Sequence, residues 1–116
     1  MNTTDTITRE TAAELVKRIE TAWLAETSEY ISDVYCTAYD AEDEIVELAD
    51  AARVVITIDA TRPAANKAAE DAQQDAAWEY CRIAADLLDV RPWDIPWDCE
   101  GNGADGDVYS MEFTLA

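Results

Sequence analysis

The sequence predicts an α+β domain, mainly α: three helices at about 8–35, 41–58 and 63–88, then a C-terminal β-hairpin at about 95–99 and 108–115. Apolar residues recur at helical period through the first three-quarters of the chain, and the remainder switches to alternation. Of its 116 residues, 49% are apolar even though the formal net charge is −18. A disordered acidic tail would join such charge to few apolar residues. One folded domain is therefore expected, burying roughly two-thirds of the surface its unfolded chain exposes.

In the first helix, Ala12, Val16, Ile19, Trp23, Tyr30 and Val34 keep the spacing of one face. Thr8 is the expected N-cap, and Glu10 stands where the helix dipole favours an anion. Asp40 is expected to cap the second helix, since Glu42, Asp43 and Glu44 load its first turn with acid. Ile45, Leu48, Ala49, Ala52, Val55 and Ile56 continue the helical spacing. Residues 53–58 form a β-branched run that reads equally as a buried strand. Continuation of the stripe through Ile56 favours helix.

Thr61-Arg62-Pro63 marks a break and a new start, because proline is tolerated in a first turn. Ala65, Ala69, Ala72, Ala76, Tyr80, Ile83 and Leu87 then share one face, and its alanine half admits a close neighbour. Asp89-Val90-Arg91-Pro92 ends this third helix. Beyond it, Ile95, Trp97 and Cys99 alternate with acids, as Tyr109, Met111, Phe113 and Leu115 alternate with polar residues. Two such segments around a Gly/Asn/Asp loop predict the hairpin, with Pro96 placing its first strand at an edge.

Composition argues against catalysis. The chain has no histidine, so it offers no imidazole base and no Ser-His or Cys-His couple. Cys36, Cys81 and Cys99 are odd in number and lack a Cys-x-x-Cys spacing, which predicts buried, reduced thiols in a cytoplasmic setting. Zinc sites of the usual Cys/His kind are excluded by the same counts. Asp98, Glu100, Asn102, Gly103 and Asp105 imitate the start of a calcium loop. Tyr109 stands where the closing bidentate Glu belongs, so a hairpin loop is expected, with no metal and no cofactor. No run of membrane length is apolar, so no span is expected, and the first residues lack the basic flank and apolar core by which a secretory signal would be expected.

Charge carries more. The 26 acids face only 8 bases, a field that repels nucleic acids and anionic membranes and attracts basic partners. Asp71, Asp75, Glu79, Asp86 and Asp89 share one flank of the third helix, interrupted by Arg82. They span about 27 Å at about 1.5 Å per residue, or one carboxylate per roughly 5 Å. A single DNA strand carries one phosphate per about 3.4 Å. A second acidic line alongside would close that gap. The candidates are Asp43, Glu47 and Asp50 on the second helix, or Glu26, Glu29 and Asp33 on the first.

Solvated helix faces usually mix signs, because like charges at helical spacing cost a few tenths of a kcal/mol per pair. Here the opposite sign is largely missing, and residues 93–116 hold six acids and no base. In size, acidity and the Asp71–Asp89 stripe the chain resembles phage-encoded DNA mimics that inhibit restriction enzymes or CRISPR effector complexes. The resemblance implies a non-enzymatic inhibitor in the cytoplasm of an infected bacterium, whose partner is a basic nucleic-acid-binding protein rather than nucleic acid itself. Two alternatives share the composition: an immunity protein against a basic nuclease, and a constitutive domain of a salt-adapted or GC-rich proteome.

Overall fold

Alternation, not the helical stripe, decides the middle of this chain. Val54, Ile56, Ile58 and Ala60 are buried while the residues between them stay partly exposed, the period of a strand with one face on a core. The structure, a computed structural model, describes residues 6–26, 30–60, 66–101 and 107–116. In chain order these form β1 (Thr6–Ile7), α1 (Arg9–Leu24), β2 (Asp33–Tyr39), β3 (Arg53–Ala60), α2 (Lys67–Leu88), β4 (Trp97–Gly101) and β5 (Asp107–Leu115). Short 3-10 turns at Leu48–Asp50 and Pro92–Asp94 precede β3 and β4.

Among the described residues there are thus two helices and a five-stranded mixed sheet, not three helices with a hairpin laid on them. The expected helix 41–58 is absent. Asp40 caps no helix; its carboxylate accepts from the backbone N–H groups of Glu42 and Glu44, the local bonding that draws Asp into turns. The β-branched run that follows pairs as β3 with strands on both sides. The first helix stops at Leu24 rather than near residue 35, and Val34 belongs to β2. Its beginning is as expected: the Thr8 side chain accepts from the Thr11 N–H. The third helix is α2, capped by Asn66, whose side chain accepts from the Ala69 N–H. The expected start at Thr61-Arg62-Pro63 lies outside the described residues.

β5 pairs antiparallel with β3 along one edge. Its other edge is shared by β4, antiparallel, and β1, parallel. β2 closes the far side against β3. The expected C-terminal strands therefore exist, but as members of the sheet. Because β3 and β5 are antiparallel, as are β5 and β4, two split β-α-β units interleave: β1-α1-β2 and β3-α2-β4.

Register sets the core. Val54 lies opposite Phe113, Ile56 opposite Met111 and Ile58 opposite Tyr109, all buried, with Val34 continuing the row into β2. Ala12, Leu15 and Ile19 of α1 and Ala77, Tyr80, Cys81 and Ala84 of α2 join the same cluster. Both helices thus cover one face of the sheet. The opposite face carries Tyr35, Thr37, Tyr39, Val55, Thr57, Ser110 and Glu112, none of them buried. Among the described residues no helix is long and apolar enough to cross a membrane.

This one-sidedness makes neighbouring positions on β5 behave oppositely. Phe113→Ala should lower the unfolding free energy by about 3–5 kcal/mol through loss of burial and a residual cavity. Thr114→Ala, one step along and exposed, should stay within about 0.5 kcal/mol. Equilibrium denaturation of the two variants checks the assignment.

Candidate partner-binding surface

The shape of α2 follows from small residues on one side and acids on the other. Gln73, Ala77, Cys81, Ala84 and Ala85 are buried, and the Gln73 amide donates to the Ala60 carbonyl at 2.9 Å. Their face is offset by about one position from the expected Ala69/Ala76/Ile83 face, which is only partly buried. The sheet beneath, rather than a neighbouring helix alone, sets that rotation. On the opposite side Asp71, Asp75, Glu79, Arg82, Asp86 and Asp89 are all exposed, so the predicted stripe is an outward ridge.

Its charge is only partly compensated. Asp71 pairs with Lys67 at 3.1 Å and Glu79 with Arg82. Asp75, Asp86 and Asp89 have no ion pair among the described residues. Asp89 ends the helix in the left-handed region (φ 55°, ψ 48°), and no base lies in the last turn. Asp86 and Asp89 therefore sit where the helix dipole opposes an anion.

The second line of acid is not alongside. Asp43, Glu47 and Asp50 belong to the β2–β3 connection, and α1 packs between it and α2, touching both. Arg9, at the start of α1, donates to the carbonyls of Leu48 and Ala51 and ties that connection down. Asp43 and Glu112 both pair with Arg53, which also stacks over the Tyr39 ring at 4.4 Å.

Nor do Glu26 and Asp33, the described members of the other set, form a row. The Glu26 carboxylate accepts from the Tyr80 hydroxyl at 2.8 Å, just beyond the end of α1. Burial, then the Glu26 contact, raises the Tyr80 pKa above its ordinary value. Glu29 lies outside the described residues. Asp33 opens β2 on the open sheet face, directly opposite Asp59, one of whose carboxylate oxygens is buried without a hydrogen-bond partner.

Thiol chemistry is disfavoured at two of the three cysteines. Burial, reinforced by Glu20, pushes Cys36 up to about 12, and burial pushes Cys81 up to about 11. Only Cys81 is buried as expected; Cys36 is half-buried and Cys99 exposed. No group of three or more acids or cysteines among the described residues is arranged to hold a metal ion. Residues 102–106 of the calcium-like loop, including Asn102, Gly103 and Asp105, lie outside the described residues.

One feature escaped the sequence reading: an aromatic recess beside the ridge. Trp78 of α2 and Trp97 of β4 meet edge to face at 5.4 Å, and Trp97 stacks on Tyr109 at 5.4 Å. Trp93, by contrast, is exposed and carries Arg91 at 5.6 Å from its ring. Only the alternation of β4 and β5 hinted that Trp97 and Tyr109 share a face.

No protein-family model, no curated protein and no solved structure matches this chain. Asp89→Asn keeps a residue that tolerates the left-handed conformation while removing the charge at the helix end. It should stabilise the fold by about 0.3–1 kcal/mol at low salt. The gain should shrink as salt rises, read as a converging pair of melting temperatures.

Proposed function

We propose that this protein is a non-catalytic inhibitor whose acidic ridge occupies the basic groove of a nucleic-acid-binding protein, such as a restriction enzyme or CRISPR effector. The observation that carries this role is the outward line Asp71, Asp75, Glu79, Asp86 and Asp89, three of whose carboxylates have no ion pair among the described residues. Its carboxylates would engage the Lys and Arg residues that otherwise hold phosphates. Association would be fast at low salt and weaken steeply as salt rises. Since the β2–β3 acids lie beyond α1, the ridge imitates one strand of a duplex rather than both.

A specific observation favours a second role, that of a constitutive domain in a salt-adapted proteome. Exposed acid is not confined to the ridge: Glu10 and Glu14 lie on α1, Glu42 and Glu47 in the connection, Asp33 and Asp98 on strands. General acidity of this kind serves solubility without a partner.

Immobilised protein incubated with a host lysate at low salt should retain a nucleic-acid-binding protein that free duplex DNA displaces. Replacing Asp75, Glu79 and Asp86 together by lysine should weaken that capture at least tenfold, a change of about 1.4 kcal/mol or more. The melting temperature should not fall, because all three are exposed and Asp86 lies where the helix dipole opposes an anion. Capture that DNA cannot displace, or that survives the triple reversal in a folded variant, would refute the role of the ridge.

A further inference from the structure

The recess between α2 and the β4–β5 pair has a volume of about 360 Å³ and is lined by Gln74, Asp75, Trp78, Trp97, Cys99 and Tyr109. Its aromatic walls are set at right angles: the planes of Trp78 and Trp97 meet at 89°, and Tyr109 backs Trp97 at an interplanar angle of 24°. Trp78 and Trp97 are only partly buried, so ring surface is available from solvent. Asp75, exposed at the rim, is a carboxylate without an ion pair among the described residues.

Indole faces attract cations through their quadrupole, and the attraction grows when the cation is partly desolvated. A nearby carboxylate adds direct charge complementarity. The chain's own arginines use this interaction elsewhere, Arg53 over Tyr39 and Arg91 near Trp93. Among the residues lining the recess there is one acid and no base. An apolar ligand would gain nothing from Asp75, and an anion would be repelled by it.

We propose that this recess binds an organic cation, a guanidinium or alkylammonium group, held against Trp78 and Trp97 with Asp75 as counter-charge. The group could be supplied by a basic side chain of a protein or by a free quaternary ammonium solute; the recognition chemistry is shared. The site goes beyond the proposed role of the ridge, and a small cation reads it with no protein partner present.

The test is a titration with methylguanidinium and with tetramethylammonium at constant ionic strength, following the indole N–H signals by NMR. Saturable shifts are expected at Trp78 and Trp97, with the exposed Trp93 as internal reference. Asp75→Asn, a surface change that leaves the aromatic walls in place, should weaken binding at least threefold. Trp78→Leu should abolish it. Tighter methylguanidinium binding supports the site and identifies an arginine side chain as the source. Tighter tetramethylammonium binding supports it and identifies a free solute. Shifts that match those of potassium chloride, or an affinity unchanged in a folded Asp75→Asn variant, would overturn the proposal.

Discussion

The pairing of β3 with β5 is the constraint on which the rest of this protein depends. Its register aligns Val54 with Phe113, Ile56 with Met111 and Ile58 with Tyr109, and so makes one face of the sheet continuously apolar. A slip of one residue would turn every one of those side chains to solvent. Once that face exists, α1 and α2 cover it, and among the described residues no helix lies on the alternate face. The interleaving of the two β-α-β units follows, because β3 and β5 occupy the middle while β1, β2 and β4 fall to the edges.

A core of this kind confines charge to the periphery and leaves much of it opposed by like charge. Asp33 faces Asp59 across two strands, an arrangement that destabilises a sheet. Asp86 and Asp89 crowd the end of α2 against its dipole. Two of the bases fasten segments together: Arg9 holds the turn before β3, and Arg53 joins the β2–β3 connection to β5. Each repulsion is small, and together they are a cost that burial of the one-sided core must offset.

Legibility in the sequence divided along the same line. The outward stripe of α2 was readable, because exposure there depends only on helical periodicity around a buried side. The alternation of Tyr109, Met111, Phe113 and Leu115 was readable for the same local reason. Residues 53–58 were not, since Val55 and Ile56 fit a helical stripe while Val54, Ile56 and Ile58 fit a strand. The choice is made by β5, some fifty residues away in sequence, which no local window contains. Val34 likewise extends the stripe of α1 on paper but pairs opposite Ile58 in the sheet. Of the two candidate second acidic lines, Asp43, Glu47 and Asp50 lost the helix that was to carry them, and Glu26 and Asp33 lie beyond the end of α1 at Leu24. The aromatic recess was hidden because Trp78 and Trp97 come together only through the packing of α2 on the sheet.

Whether the repulsive surface serves a partner or a brine is decided most directly by melting the protein across a potassium chloride series. If the surface serves a partner, the core alone suffices for folding. The protein is then cooperatively folded at the lowest salt, and its melting temperature rises only up to about 0.3 M, where the Debye length has fallen to several ångströms. A chain that is unfolded at low salt and keeps gaining stability into the molar range would contradict that claim and assign the acidity to its solvent.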